Sequence, residues 1–175
     1  MFENYKVYET TLAGRPLKLE TGKMAGLANA SVMASYGETV VLANVTMSAA
    51  PREGIDFFPL SVDFEEKIYS VGRIPGSFLR REGRPGESAI LSSRVVDRPM
   101  RPLFPKDMRN DVSIVMTVMS VDPDCDPQIV GMLGAIIATC ASDVPFNGPI
   151  GGISVGLVDG EIVIMPNAEQ QKKNK

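Results

Sequence analysis

The sequence predicts an α+β fold, a mixed or antiparallel sheet covered by helices on one side. Apolar residues alternate with polar ones through the first sixty-odd residues, as half-buried strands require. Two later stretches run long without breakers and carry helical spacing, and strand-like runs lie between and after them. With 175 residues, 44% of them hydrophobic, the chain can bury one core and fits a single domain.

The elements follow in order. Residues 15–22, RPLKLETG, alternate Leu17 and Leu19 with polar neighbours. Residues 29–47, NASVMASYGETVVLANVTM, have the pattern of a hairpin turning at Gly37, with Thr39, Val41, Ala43, Val45 and Met47 on one face. Phe58, Leu60, Val62 and Phe64 repeat the period of two, and together these runs read as a meander of antiparallel strands. A helix starts at Glu87 and continues to Arg98, with Pro99 and Pro102 ending it.

The run DVSIVMTVMSVD (residues 111–122) is apolar on both faces and reads as a central strand. A second helix opens with Asp126 as N-cap and Pro127 at its first position. Its apolar stripe is Ile129, Met132, Leu133, Ile136, Ile137 and Cys140, and Gly131, Gly134, Ala135 and Ala138 permit close approach on another side. Residues 152–165 are two short strands joined by Asp159-Gly160, a turn pair that matches strand twist. The polar tail, residues 168–175, is expected to fray.

Composition excludes several chemistries. The chain has no histidine, so Ser-His and Cys-His nucleophilic pairs are ruled out and zinc sites lose their main ligand. Cys125 and Cys140 read as reduced thiols of a cytoplasmic protein. No run approaches eighteen apolar residues, and the first residues lack the basic-then-apolar order of a signal peptide.

Charge is concentrated. The net charge is −3, yet residues 73–101 hold seven arginines, no lysine and three acids (Glu82, Glu87, Asp97), a local balance of +4. Arginine's planar fork bonds phosphate oxygens in pairs and stacks on bases, which lysine cannot do. In GSFLRREGRPGE (residues 76–87), Arg80, Arg81 and Arg84 sit beside Phe78 and Leu79 in a glycine- and proline-broken loop. An aromatic among guanidiniums suits single-stranded nucleic acid, where bases stack and arginines follow the backbone. Arg94, Arg98 and Arg101 fall at i, i+4 and i+7 of the helix, and Asp97 is placed to pair with Arg94 or Arg101. Two readings stand for this second group: anion binding, or an ion-paired or intersubunit face.

These stretches carry a resemblance. GRIPGSFLRREGRPGESAILSSRVVDRPMRPLFP, with SYGETVVLANVTMS before it and SDVPFNGPIGGISVG after it, closely resembles the first core domain of the bacterial polynucleotide phosphorylases. The likeness runs over residues 5–167. It implies an RNase PH-like fold (ribosomal protein S5 domain 2-like), a homotrimer with a central channel, and RNA degradation partners. It also implies 3′→5′ phosphorolysis of single-stranded RNA, releasing nucleoside diphosphates and reversible as polymerisation. Phosphate and Mg2+ or Mn2+ would serve the parent enzyme. By the same resemblance SFLRR is the loop at the channel mouth, so Phe78, Arg80 and Arg81 are the RNA-binding residues, with Arg84 beside them. Leu79 departs from the pattern, where an aromatic or basic residue is common.

The resemblance also locates catalysis elsewhere, in a second copy of the fold. Where an active copy carries a phosphate loop, this chain has VDPDCDPQ, whose Asp122, Asp124 and Asp126 would repel phosphate and read as turn formers and a helix cap. Where an active copy carries paired aspartates, this chain has IMPNAEQQKKNK, with Glu169 as its one acid. No catalytic or metal-binding residue is therefore expected here. Residues 1–167 read as a first core domain incomplete at its C-terminal end. Two alternatives remain: a domain itself phosphorolytic through Arg94 and Arg98, or an oligomerisation scaffold without RNA contact.

Overall fold

A computed structural model describes residues 4–76 and 78–173. Six strands form the main sheet: β1 (Lys6–Leu12), β2 (Arg15–Thr21), β3 (Ala30–Tyr36), β4 (Thr39–Pro51), β5 (Leu60–Glu65) and β6 (Asn110–Ser120). Their spatial order is β1-β2-β3-β4-β6-β5. Strands β1 to β4 are an antiparallel meander, and β4 pairs antiparallel with β6. The period-two residues share one face: Leu17 faces Tyr36, Leu19 faces Ala34, and Val41 and Ala43 face Val118 and Met116.

Two helices pack on that face, α1 (Glu87–Met100) and α2 (Pro127–Ala141). Between them and the sheet lie Val32, Ala34, Val41, Val45, Ile114, Met116 and Val130, all essentially without solvent contact. Full burial of one such aliphatic side chain contributes about 1.5–3 kcal/mol. A separate two-stranded sheet, β7 (Val155–Val158) and β8 (Glu161–Ile164), turns at Asp159 and Gly160, which adopt φ of 51° and 86° as expected of that pair.

Four expectations need correction. First, β5 does not continue the meander. It runs parallel to β6 at the sheet edge, because the chain between them crosses over through α1, and parallel neighbours require such a crossover. Second, Pro99 does not end α1, which reaches Met100 before a 3-10 turn takes over at Arg101–Leu103. A proline in the last turn forfeits one hydrogen bond but still fits helical φ. The strand β6 is central, as expected, and buries alternate residues, Val112, Ile114, Met116 and Val118, because helices cover one face alone.

Third, α2 buries Ile129, Met132 and Ile136 of its expected stripe but not the rest of it. Its small residues face the sheet: a Cβ on Gly134 would meet the Cβ atoms of Ala43 and Ala34 at 3.2 and 3.3 Å, and one on Gly131 would meet Phe64 at 3.1 Å. Leu133 and Ile137 are half-buried and Cys140 is exposed, while Cys125 is buried; both thiols are free. Finally, the tail is helical over Ala168–Lys173, α3. Asn167 caps it by accepting from the Gln170 N–H while donating its own N–H to the Gln170 side chain.

Candidate nucleic-acid interface

The arginine-rich loop leaves the sheet edge through a 3-10 turn at Ile68–Val71. Gly72, at φ 70°, closes that turn by donating to the Tyr69 carbonyl. The loop returns to the body where α1 begins at Glu87. Between these points Phe78 is 100% exposed and Leu79 71% exposed, and Arg80, Arg81 and Arg84 are exposed as well. Ser77, inside the quoted stretch, lies outside the described residues.

Apolar exposure on this scale costs solvation free energy that folding leaves uncompensated. Backbone strain falls on the same tip. Arg80 adopts φ 49°, a left-handed conformation that costs an L-residue roughly 1–2 kcal/mol. The sequence assigned the loop's irregularity to its glycines, yet the left-handed position near the tip is held by an arginine.

The base of the loop is tied down. The Ile68 N–H donates to Glu82 Oε1 at 2.8 Å, and Lys67 Nζ lies 2.7 Å from Glu65 and 3.6 Å from Glu82. Ser88, at the start of α1, donates to the Glu66 carboxylate at 3.1 Å. A bond to Glu65, chiefly, holds the Lys67 ammonium above its ordinary pKa. In the sequence Glu82 stands only as one of the three acids of the arginine-rich segment. Its place between Arg81 and Arg84 gives no sign of the Ile68 N–H that it binds, fourteen positions away.

The helix arginines divide. Arg101 is spent on structure: its guanidinium pairs with Asp97 at 2.6 and 3.1 Å and donates to the carbonyls of Phe58 and Leu60 at 3.3 and 3.1 Å. It ties the end of α1 to the entrance of β5, and its pair with Asp97 is the ion-paired arrangement that the spacing offered. Arg94 and Arg98 remain exposed, and among the described residues neither forms a salt bridge. Arg94 overhangs a groove bounded by β5 and α1, lined also by Ser61, Asp63 and Ile90. On the outer surface of α1, Ile90, Leu91 and Val95 are exposed beside these two arginines.

The three aspartates before α2 face backbone, not a common centre. Asp122 accepts from the N–H groups of Asp124 at 2.9 Å and Glu38 at 3.4 Å; these bonds, the Asp124 one foremost, hold its carboxyl below the ordinary value. Asp124 accepts from the Ala168 N–H and Asp126 from the Gln128 N–H, each at 2.9 Å. Arg15 crosses this turn, donating to the Asp124 carbonyl at 2.6 Å and to Cys125 Sγ at 3.2 Å. Magnesium seeks converging, unengaged carboxylates. These do not fit it, and among the described residues no group of three or more acidic, cysteine or histidine side chains converges to hold a metal.

The described residues thus form a mixed sheet with helices on one face and a cationic loop at its edge. The chain belongs to the 3′ exoribonuclease family, its residues 13–145 matching that family's domain 1. Within it, the chain is similar to proteins named polyribonucleotide nucleotidyltransferase: 61% identical over 98% of its length to that of Ruminiclostridium cellulolyticum, and 59% identical over 99% to that of Clostridioides difficile. It spans only 24–25% of the length of these relatives. Rice (Oryza sativa) Rrp46 superposes on the whole chain and 73% of its own, with a TM-score of 0.67 at 15% identity, showing the RNase PH-like fold expected from the sequence.

Proposed function

We propose that the protein degrades single-stranded RNA from its 3′ end by phosphorolysis, and that this chain grips the strand instead of cutting it. In that reaction an oxygen of inorganic phosphate bonds to the terminal phosphorus, the bond to the neighbouring 3′ oxygen breaks, and a nucleoside diphosphate leaves. The observation carrying the reading is the loop tip, where a fully exposed Phe78 stands with exposed Arg80, Arg81 and Arg84 on a tethered base. A base stacked on Phe78 contributes about 1–3 kcal/mol, and the guanidiniums follow the phosphates without reading sequence.

The acids of this chain favour a gripping role, since Asp122, Asp124 and Asp126 are engaged by backbone N–H groups. Phosphate and Mg2+ or Mn2+ serve the enzyme as a whole, at residues other than these. The homotrimer is supported by the exposed Ile90, Leu91 and Val95 on α1, an apolar strip that an oligomer would cover. Arg94 and Arg98 border that strip and serve either an intersubunit contact or an anion. A cytoplasmic location and RNA-degradation partners complete the reading. No helix among the described residues is long and apolar enough to cross a membrane.

Phosphate-dependent diphosphate release from single-stranded RNA, measured on the protein at its natural length, tests this. Replacing Phe78, Arg80 and Arg81 together with alanine raises KM for RNA at least tenfold and leaves kcat within about twofold. A collapse of kcat at unchanged KM would place the chemistry in this chain instead.

A further inference from the structure

We infer that Glu82 is a positioning residue: through the Ile68 amide and Lys67 it sets the base of the loop so that Arg80, Arg81 and Arg84 face a bound strand. The inference rests on the RNA-gripping reading above. Three distances carry it. Glu82 Oε1 accepts from the Ile68 N–H at 2.8 Å, Glu82 Oε2 lies 3.6 Å from Lys67 Nζ, and Lys67 Nζ is held 2.7 Å from Glu65 at the end of β5. The carboxylate thus joins the loop to the edge strand through a charge-assisted bond to backbone, the kind that fixes geometry best. Glu82 and Lys67 are both partly shielded, at 27% and 28% side-chain exposure.

The loop needs such a tether. Around its glycines at 76, 83 and 86, a Cβ would meet nothing within 4 Å, so neighbouring packing does not fix the backbone there. Ordering a residue costs roughly 1–2 kcal/mol, and a loop ordered in advance spares that cost at the moment of binding. On this view Glu82 strengthens RNA binding although it carries the same sign of charge as RNA.

The sign of the effect separates positioning from simple electrostatics. Removing an anion beside three arginines raises local positive potential, so charge alone predicts tighter RNA binding by any neutral replacement. Glu82→Gln removes the charge but keeps an oxygen to accept from Ile68. Glu82→Ala removes both. Positioning predicts that Glu82→Gln binds a fluorescent dodecauridylate as tightly as the native protein or more so, while Glu82→Ala binds about fivefold more weakly. Tryptic cleavage after Arg80 and Arg81 accelerates in the alanine variant only.

Glu82 lies outside the core, and thermal melts of both variants establish that they fold. Amide exchange gives a readout independent of any variant: the Ile68 amide is protected in the native protein, and exchange at the free-peptide rate would overturn the inference. Arg80→Ala/Arg81→Ala is measured alongside. If that double variant binds RNA normally, the gripping reading falls and takes this inference with it. If it binds weakly while Glu82→Ala matches or surpasses Glu82→Gln, only the role of Glu82 is overturned.

Discussion

At the scale of single residues, the chain separates arginines that build from arginines that present. Arg101 reaches two carbonyls and a carboxylate, and Arg15 braces the aspartate turn, whereas Arg80 and Arg84 point their charge outward. Arg101→Ala should therefore lower stability by about 1 kcal/mol in a urea melt, with exposure discounting the ion pair, and leave RNA affinity within twofold. Phe78→Ala should do the reverse, weakening RNA binding by about 1–3 kcal/mol with an unchanged melt. Asp122 supplies a pH dependence. Its carboxyl is depressed below 3.8 in the folded chain, first by the Asp124 N–H. Its contribution is thus complete above that value and lost as pH falls through the lowered one. The melting temperature should drop on acidification from about pH 5 to pH 2, and Asp122→Asn should show a smaller drop.

At the scale of elements, strands were legible wherever one face is buried, because period two then writes itself into the residues. Leu17, the Thr39-to-Met47 series and the Asp159-Gly160 turn all lie where alternation places them. Partners across space were not legible. The same alternation in β5 suits a parallel neighbour as well as an antiparallel one, and only the crossover through α1 decides. In α2 Ile129, Met132 and Ile136 of the large-residue stripe are buried, while Leu133, Ile137 and Cys140 are not, because the glycines and alanines expected to allow close approach are what lies against the sheet. Gly134→Val should accordingly cost about 1–3 kcal/mol, since its side chain would press on Ala43 and Ala34, both fully buried on central strands. A urea melt with unchanged or raised midpoint would refute that packing. Of the candidate site, charge and composition revealed the arginine loop, but its tether through Glu82 depends on a residue fourteen positions away and left no pattern.

At the scale of the whole molecule, a layered body of sheet and helices holds out an arginine-rich loop, and the aspartates that might suggest a second site are engaged in holding a turn. The central claim is that this loop binds the RNA backbone through its guanidiniums. The salt dependence of single-stranded RNA affinity tests it most directly, because each phosphate contact adds about −0.7 to the slope of log affinity against log salt. For three or four contacts the slope is about −2 to −3, and Arg80→Ala/Arg81→Ala should flatten it by about 1.4 for every RNA sequence tried. An unchanged slope and unchanged affinity in the double variant would contradict the account.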